Sequence, residues 1–256
     1  MTLAARLRAG ETMVCGWSAI ADAFVAEAIA LSGFDAVLLD MQHGGHDEAS
    51  VLAGSALIAA AGVAPLTRIP VGRFDMASRA LDFGAAAVVA PMINSRTDAE
   101  AFASAMKYPP VGGRSWGPMR PRVLQRDFNT DTYLASANDD TAALAMIETR
   151  EALAALDEIL DVDGIDGVFF GPGDFSIAWS GGKTVDPDLA DMMPAVAEIA
   201  GKARQRGKAA GLYLNDPRQA DRYHDMGYSL FAIGVEQRYM NEGAGNIIAA
   251  VRKALG

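Results

Sequence analysis

The sequence lacks several things that would point to a function directly. Only one of its 256 residues, Cys15, is a cysteine, so neither an intrachain disulfide nor a zinc site built on several thiolates is open to it. No apolar run approaches the roughly 18–20 residues that cross a bilayer. The longer ones, such as Ala56–Leu66, are broken by Gly62 and Pro65. The opening Met1–Gly10 has no long apolar core and no cleavage pattern, which predicts no signal peptide and a cytoplasmic protein. Basic residues are in deficit, 22 Lys and Arg against 32 Asp and Glu, for a formal charge of −10. That balance argues against nucleic acid or an anionic membrane as a partner. A site for a small anion must then rest on a few placed arginines or on a metal. No Walker or dinucleotide fingerprint is present. The lysines, Lys107, Lys183, Lys202, Lys208 and Lys253, all avoid the C-terminal ends of the predicted strands, which speaks against Schiff-base chemistry.

What is present reads as a folded domain: 51% of residues are hydrophobic and 21% charged, the proportions of a globular protein. Eight short apolar runs predict strands over Met13–Ser18, Asp35–Met41, Ala64–Ile69, Ala86–Met92, Leu144–Thr149, Gly167–Gly171, Ala209–Leu214 and Ser229–Gly234. They are apolar nearly throughout, as strands covered on both faces must be. Amphipathic stretches lie between them, among them Ala19–Leu31, Thr97–Lys107, Leu189–Arg206 and Pro217–Met226. Asp22 and Asp98 sit in first turns, Gly33 is a stop signal, and Asp216-Pro217 is a start. Eight strands alternating with helices and no linker predict a single α/β domain over residues 1–256, a (β/α)₈ TIM barrel. A doubly wound sheet is the structural alternative, but Ser18-Ala-Ile-Ala lacks the glycine-rich first turn it needs. One segment, Tyr108–Thr141, shows no clear periodicity and carries Arg114, Arg120, Arg122 and Arg126. It reads either as a solvated basic loop or as a lid over one end of the barrel or a subunit contact.

Barrel active sites lie at the C-terminal ends of the strands. There the first strand delivers Trp17, the second Asp40-Met-Gln42-His43, and the third Arg68. The fifth delivers Glu148, and the sixth runs into Gly171-Pro172-Gly173-Asp174. Ionisable groups at one rim are costly unless paired or used. Glu148 and Asp174 could each serve as a helix cap, but carboxylates on adjacent strand ends repel unless a cation lies between them. A hard divalent ion such as Mg²⁺ or Mn²⁺ takes one or two carboxylates and fills its other positions with water and substrate oxygens. His43, beside Asp40 after a buried strand, reads as a base, with His46 as the alternative and His224 as a surface helix residue. Arg68 needs an anionic partner, either substrate or a structural ion pair with Asp40 or Asp82. The amides of Gly171–Asp174 at a helix start can hold a carboxylate. Trp17 reads as a pocket wall or as core.

Taken in order, these residues resemble the HpcH/HpaI family of class II, metal-dependent pyruvate aldolases. The resemblance rests on Phe34-Asp-Ala-Val-Leu-Leu-Asp-Met-Gln-His43-Gly, Pro65-Leu-Thr-Arg68-Ile-Pro, Leu81-Asp82-Phe-Gly-Ala, Ala90-Pro-Met and Lys107-Tyr-Pro-Pro…Gly113-Arg-Ser. It continues through Ile147-Glu148-Thr and Asp166-Gly-Val-Phe-Phe-Gly-Pro-Gly-Asp174-Phe-Ser, so it spans about Gly16–Gly234. It implies a lyase that cleaves 4-hydroxy-2-oxo acids to pyruvate or hydroxypyruvate and an aldehyde. The divalent metal ion (Mg²⁺, Mn²⁺ or Co²⁺) would sit on Glu148 and Asp174. By the same resemblance His43 is the base, Asp82 orients it, Arg68 stabilises the transition state, and the Gly173 and Asp174 amides bind the substrate carboxylate. It also implies a homo-oligomer, a hexamer built as a trimer of dimers, with the last helix swapped between subunits. Two residues beside the site depart from the family pattern: Gln42 stands where many members carry Glu, and Met146 where many carry a substrate-contacting Gln. They bear on which substrate is preferred. A related metal-dependent lyase or isomerase of 2-oxo acids or phosphoenolpyruvate is the alternative among enzymes. A non-catalytic anion-binding barrel would have no reason to keep His43, Arg68, Glu148 and Asp174 together.

Overall fold

The computed structural model describes residues 1–124 and 127–256; Arg126 lies outside them. Among the described residues eight parallel strands close a barrel in chain order, each paired with its sequence neighbours and the last with the first. They are β1 (Met13–Ser18), β2 (Ala36–Asp40), β3 (Ala64–Arg68), β4 (Ala87–Ala90), β5 (Ala142–Ile147), β6 (Gly167–Phe170), β7 (Ala209–Leu214) and β8 (Leu230–Ile233). Every one overlaps its sequence prediction, with ends moved by two residues at most. Closure removes the doubly wound alternative, which has open edges.

The pleat divides each strand between two cores, because successive side chains point to opposite faces. Met13, Cys15, Trp17, Ala36, Leu38, Leu66, Val89, Leu144, Met146 and Phe169 fill the barrel interior, and Leu3, Ala4 and Leu7 of the N-terminal helix pack against its lower end. The intervening residues, such as Val88, Ala145, Ile147, Phe170 and Leu212, pack outward against the helices. Local signals set the helix starts. Asp22 accepts from the Phe24 and Val25 amides, Asp47 and Ser50 form a reciprocal cap, and Pro172 opens the helix Pro172–Ser180. The stretch predicted as one helix over Leu189–Arg206 begins with a tight 3₁₀ turn at Ala190–Met192, and the α-helix proper is Met193–Gln205.

The Tyr108–Thr141 segment is not an irregular loop throughout. It contains helices Met119–Leu124 and Thr130–Asp140, whose short, polar sequences hide their period. Lys107, 2% exposed, anchors it. Its ammonium donates to the Asn138 and Thr141 carbonyls at 2.6 and 2.8 Å and pairs with Asp166 at 2.7 Å. Asp166 immediately precedes β6, so this anchor ties the segment to the N-terminal end of the barrel, and none of its described residues lines the cavity at the strand C-termini.

The C-terminal helix Glu236–Leu255 leaves the barrel instead of packing on it. After its first turns it is exposed, with Ile247, Ile248, Val251 and Leu255 in a stripe at helical spacing. No helix among the described residues is long and apolar enough to cross a membrane.

Replacing Lys107 with Ala leaves Asp166 without its cation and two carbonyls without their donor. It should lower stability by about 3 kcal/mol, read as a shift of the urea midpoint.

Candidate active site

The strand parity that fills the barrel also builds its upper rim. Continuing inward-facing positions by two residues takes Cys15 to Trp17, Leu38 to Asp40, Leu66 to Arg68, Met146 to Glu148 and Phe169 to Gly171. These residues, with His43, Gly173, Asp174 and Tyr213, line one cavity of about 400 Å³.

Register places Asp40 opposite Arg68 on neighbouring strands. The Arg68 guanidinium donates to both Asp40 oxygens, Nε at 2.8 Å and Nη2 at 2.6 Å. Asp40 is therefore the structural partner of Arg68; Asp82 is not. Trp17 Nε1 also donates to Asp40 at 3.3 Å, and the Gln42 and His43 amides donate at 3.0 and 3.4 Å. Burial alone would raise the Asp40 pKa, but Arg68 and these amides outweigh it and hold the carboxyl below its usual range. Arg68 lies over the Trp17 ring, 4.7 Å from its centroid, so Trp17 is both a wall and a support. Two Arg68 nitrogens are bound to Asp40, and the rest of the five-donor fork is left for a ligand.

Glu148 is almost fully buried. One oxygen accepts from the Met92 amide at 2.7 Å, and the other has no hydrogen-bond partner among the described residues. Met92 takes φ +56° to present that amide, a conformation costly for a side chain of its size. A Cβ on Gly171 would stand 2.6 Å from the unpartnered oxygen, so glycine is what leaves the space open. Burial, with the nearby charge of Asp174 adding to it and the Met92 amide opposing it, pushes the Glu148 pKa up to about 7. Asp174 is exposed toward the same cavity from the first turn of Pro172–Ser180; the cap position itself is Gly171. The Gly173 and Asp174 amides belong to that first turn and make no intrahelical bond.

His43 lines the cavity. His46 does not: it is buried, with Nε2 at 3.0 Å from the Ser18 hydroxyl and Nδ1 at 3.1 Å from Ser50. His224 is exposed on the helix Ala220–Met226. Met146 forms part of the cavity wall. The Gln42 side-chain oxygen is buried without a partner among the described residues, and Gln42 does not line the cavity.

Asp82 is not in this site. It ends the nine-residue helix Phe74–Asp82, which runs back from the rim by about 13 Å. Its carboxylate accepts from Arg114 at 2.7 Å, at the lower end of the barrel. Within one chain it does not orient His43. Sequence reasoning missed Phe169 and Tyr213, which continue the inward parity of β6 and β7, and Met92, whose role is played by its backbone.

The cavity combines an unpartnered buried carboxylate, a second carboxylate, a fixed arginine, free helix amides and one histidine. That set can polarise a carbonyl, hold a carboxylate and move a proton. A family model described as HpcH/HpaI aldolase/citrate lyase matches residues 13–242, and the chain belongs to this family. It is thus an enzyme of the aldolase and lyase type. It is 36% identical over 243 residues to a hydroxypyruvate/pyruvate aldolase of Rhizorhabdus wittichii, covering 95% of each chain. To a 4-hydroxy-2-oxo-heptane-1,7-dioate aldolase of Klebsiella pneumoniae it is 34% identical over 238 residues, 93% of this chain and 89% of that one. The solved structure of a HpcH/HpaI aldolase/citrate lyase family protein from Burkholderia cenocepacia is similar to it with a TM-score of 0.86, at 27% identity over 98% of both chains.

Gly171→Ala should remain folded but displace the Glu148 carboxylate, lowering kcat by about 100-fold or more. Circular dichroism and steady-state kinetics on the same preparation check both halves.

Proposed function

We propose that this protein reversibly cleaves 4-hydroxy-2-oxo acids to pyruvate or hydroxypyruvate and an aldehyde, and that Glu148 and Asp174 hold the divalent metal ion on which the reaction depends. The observation that carries this reading is the unpartnered, buried oxygen of Glu148, facing Asp174 and Arg68 across one cavity. A buried carboxylate oxygen with no donor is costly, and a cation satisfies it. No group of three or more His, Cys, Asp and Glu that could hold a metal occurs among the described residues. Two carboxylates suit a hard ion such as Mg²⁺ or Mn²⁺, or the borderline Co²⁺, that takes its other oxygens from water and substrate, rather than a closed structural site. When bound, such an ion supplies Lewis-acid charge beside the substrate's ketone oxygen.

The chain's own groups account for the rest. The Gly173 and Asp174 amides receive the substrate carboxylate at the helix start. His43 takes the proton from the C4 hydroxyl as the C3–C4 bond breaks and the aldehyde departs. The bonding electrons pass to the enolate, whose charge Arg68 stabilises, held in place by Asp40. The proton that His43 took is delivered to C3, which completes the oxo acid and restores the neutral base, and the reverse sequence makes the bond. Trp17, Met146, Phe169 and Tyr213 wall the cavity. With Met146 in the wall, the chain offers a thioether where an amide could have bonded substrate, so selection between pyruvate and hydroxypyruvate falls to the other lining groups.

The reading includes a homo-oligomer, a hexamer arranged as a trimer of dimers, with the C-terminal helix swapped between subunits. Two features support an oligomer: the unpacked apolar stripe of that helix and an apolar groove of about 610 Å³ beside its first turns lined by Ile20, Val25, Ile29 and Phe34. Asp82 can meet His43 only from another copy of the chain. The enzyme works in the cytoplasm.

Metal-stripped protein should neither cleave nor condense until Mg²⁺, Mn²⁺ or Co²⁺ is added, when oxo acid and aldehyde are followed together. Full activity without metal would remove Glu148 and Asp174 from these roles. Below pH 7 the metal-free Glu148 is protonated and binding must displace that proton. Metal affinity should therefore fall up to about tenfold per pH unit below about 7 and level off above it, as read by calorimetry; a flat profile would contradict the assignment.

A further inference from the structure

The C-terminal helix meets the barrel through its first turn, and the contacts there are polar and close. Glu236, 4% exposed, is its first residue. One Glu236 oxygen accepts from the Ser18 hydroxyl at 2.6 Å, the Ala19 amide at 3.0 Å and the Ile20 amide at 3.2 Å. The other accepts from the Ala19 amide at 2.9 Å. One turn on, the Tyr239 hydroxyl accepts from the Trp17 amide at 3.0 Å and donates to the Ile233 carbonyl at 2.5 Å. Tyr239 lies so close over Gly234, itself at φ +68°, that a Cβ there would stand 2.1 Å from the ring.

The segment that Glu236 grips is also the floor under the His43 loop. The Gly45 amide donates to the Ala19 carbonyl at 2.7 Å. A Cβ on Gly44 would stand 3.0 Å from Ala19 Cα and 2.5 Å from the Asp40 carbonyl oxygen. The Ser18 hydroxyl that donates to Glu236 also meets His46. His43 thus sits between Asp40, which accepts from its amide, and a glycine pair seated on Ala19, so that a shift of Ser18–Ile20 is passed to the loop.

We propose that Glu236 is a positioning residue of the aldolase site. By fixing Ser18–Ile20 it sets the place of the His43 loop and the Trp17 wall, and so couples the departure of the last helix to the geometry of the reacting groups. The proposal rests on the reading of the site given above. A carboxylate receiving several N–H and O–H donors holds them more tightly than a neutral acceptor. Misplacing a base by a fraction of an ångström costs rate more than ground-state binding.

The test uses full-length Glu236→Gln, Ser18→Ala and the double variant. The chain has three histidines, so their imidazole C–H signals can be followed one by one in NMR spectra, with His224, remote from the clasp, as the control. The expected result is that the His43 and His46 signals move in each variant while His224 stays. With the substrate that wild type turns over, kcat falls about tenfold and KM changes by less than about twofold. The double variant loses no more than the worse single, because both act through one network. An unmoved His43 signal with kcat within twofold of wild type overturns the proposal, and so does a loss that tracks only the folded fraction. If Glu236→Gln does not fold, Tyr239→Phe, which removes the hydroxyl that orders Trp17, is judged by the same readouts. A wild-type protein with no turnover would count against the functional reading, and the histidine spectra would still decide the clasp.

Discussion

The buried ion pair between Asp40 and Arg68 is the interaction on which the rest of the site depends. It follows from register, which sets the last residues of β2 and β3 side by side, and from parity, which turns both inward. Asp40 then gathers Arg68, the Trp17 indole and the amides of Gln42 and His43. One carboxylate thus fixes the arginine, a wall of the cavity and the loop that carries the histidine. Such a pair adds little net stability once its desolvation is counted. Its effect is positional, since an arginine on a flexible stem is made into a fixed donor aimed across the cavity.

Much of this is legible in the residues. Buried strands read as continuous apolar runs, and the places where a charge interrupts them, at Asp40, Arg68 and Glu148, are the places where the barrel opens. The ordered motifs from Phe34 to Ser176 carry the family resemblance. Parity within each run also separates the interior from the outer core, and following it along β7 from Gly211, the neighbour of Phe169, would have found Tyr213. Met92 was not legible, because its contribution is a backbone amide offered from a positive φ that no side chain signals. The histidines were only half legible: His43 and His46 share one loop, and it is burial against Ser18 and Ser50 that removes His46 from the cavity.

Asp82 shows where a linear motif misleads about a single chain. It lies close in sequence to the Arg68 strand, yet the helix between them carries it to the opposite end of the barrel and into a pair with Arg114. The segment from Tyr108 to Thr141 follows the same logic. Its anchor at Lys107 lies at the lower end, and its aromatic chain through Tyr108, Trp116 and Tyr133 packs there, away from the chain's own cavity. The helix Glu236–Leu255 carries an apolar stripe that no described residue of its own chain covers. All three features lie away from the cavity, whereas Asp40, His43, Arg68, Glu148 and Asp174 line it within one barrel.

The most direct measurement of the central claim is exchange of the pyruvate methyl protons with solvent deuterium, followed by proton NMR on Mg²⁺-loaded protein with no aldehyde present. It isolates enolate formation from the choice of aldehyde. The account predicts exchange well above the buffer rate in wild type and its near-complete loss in Arg68→Met, with the fold retained. No exchange in wild type with either pyruvate or hydroxypyruvate, or undiminished exchange in Arg68→Met, would contradict it.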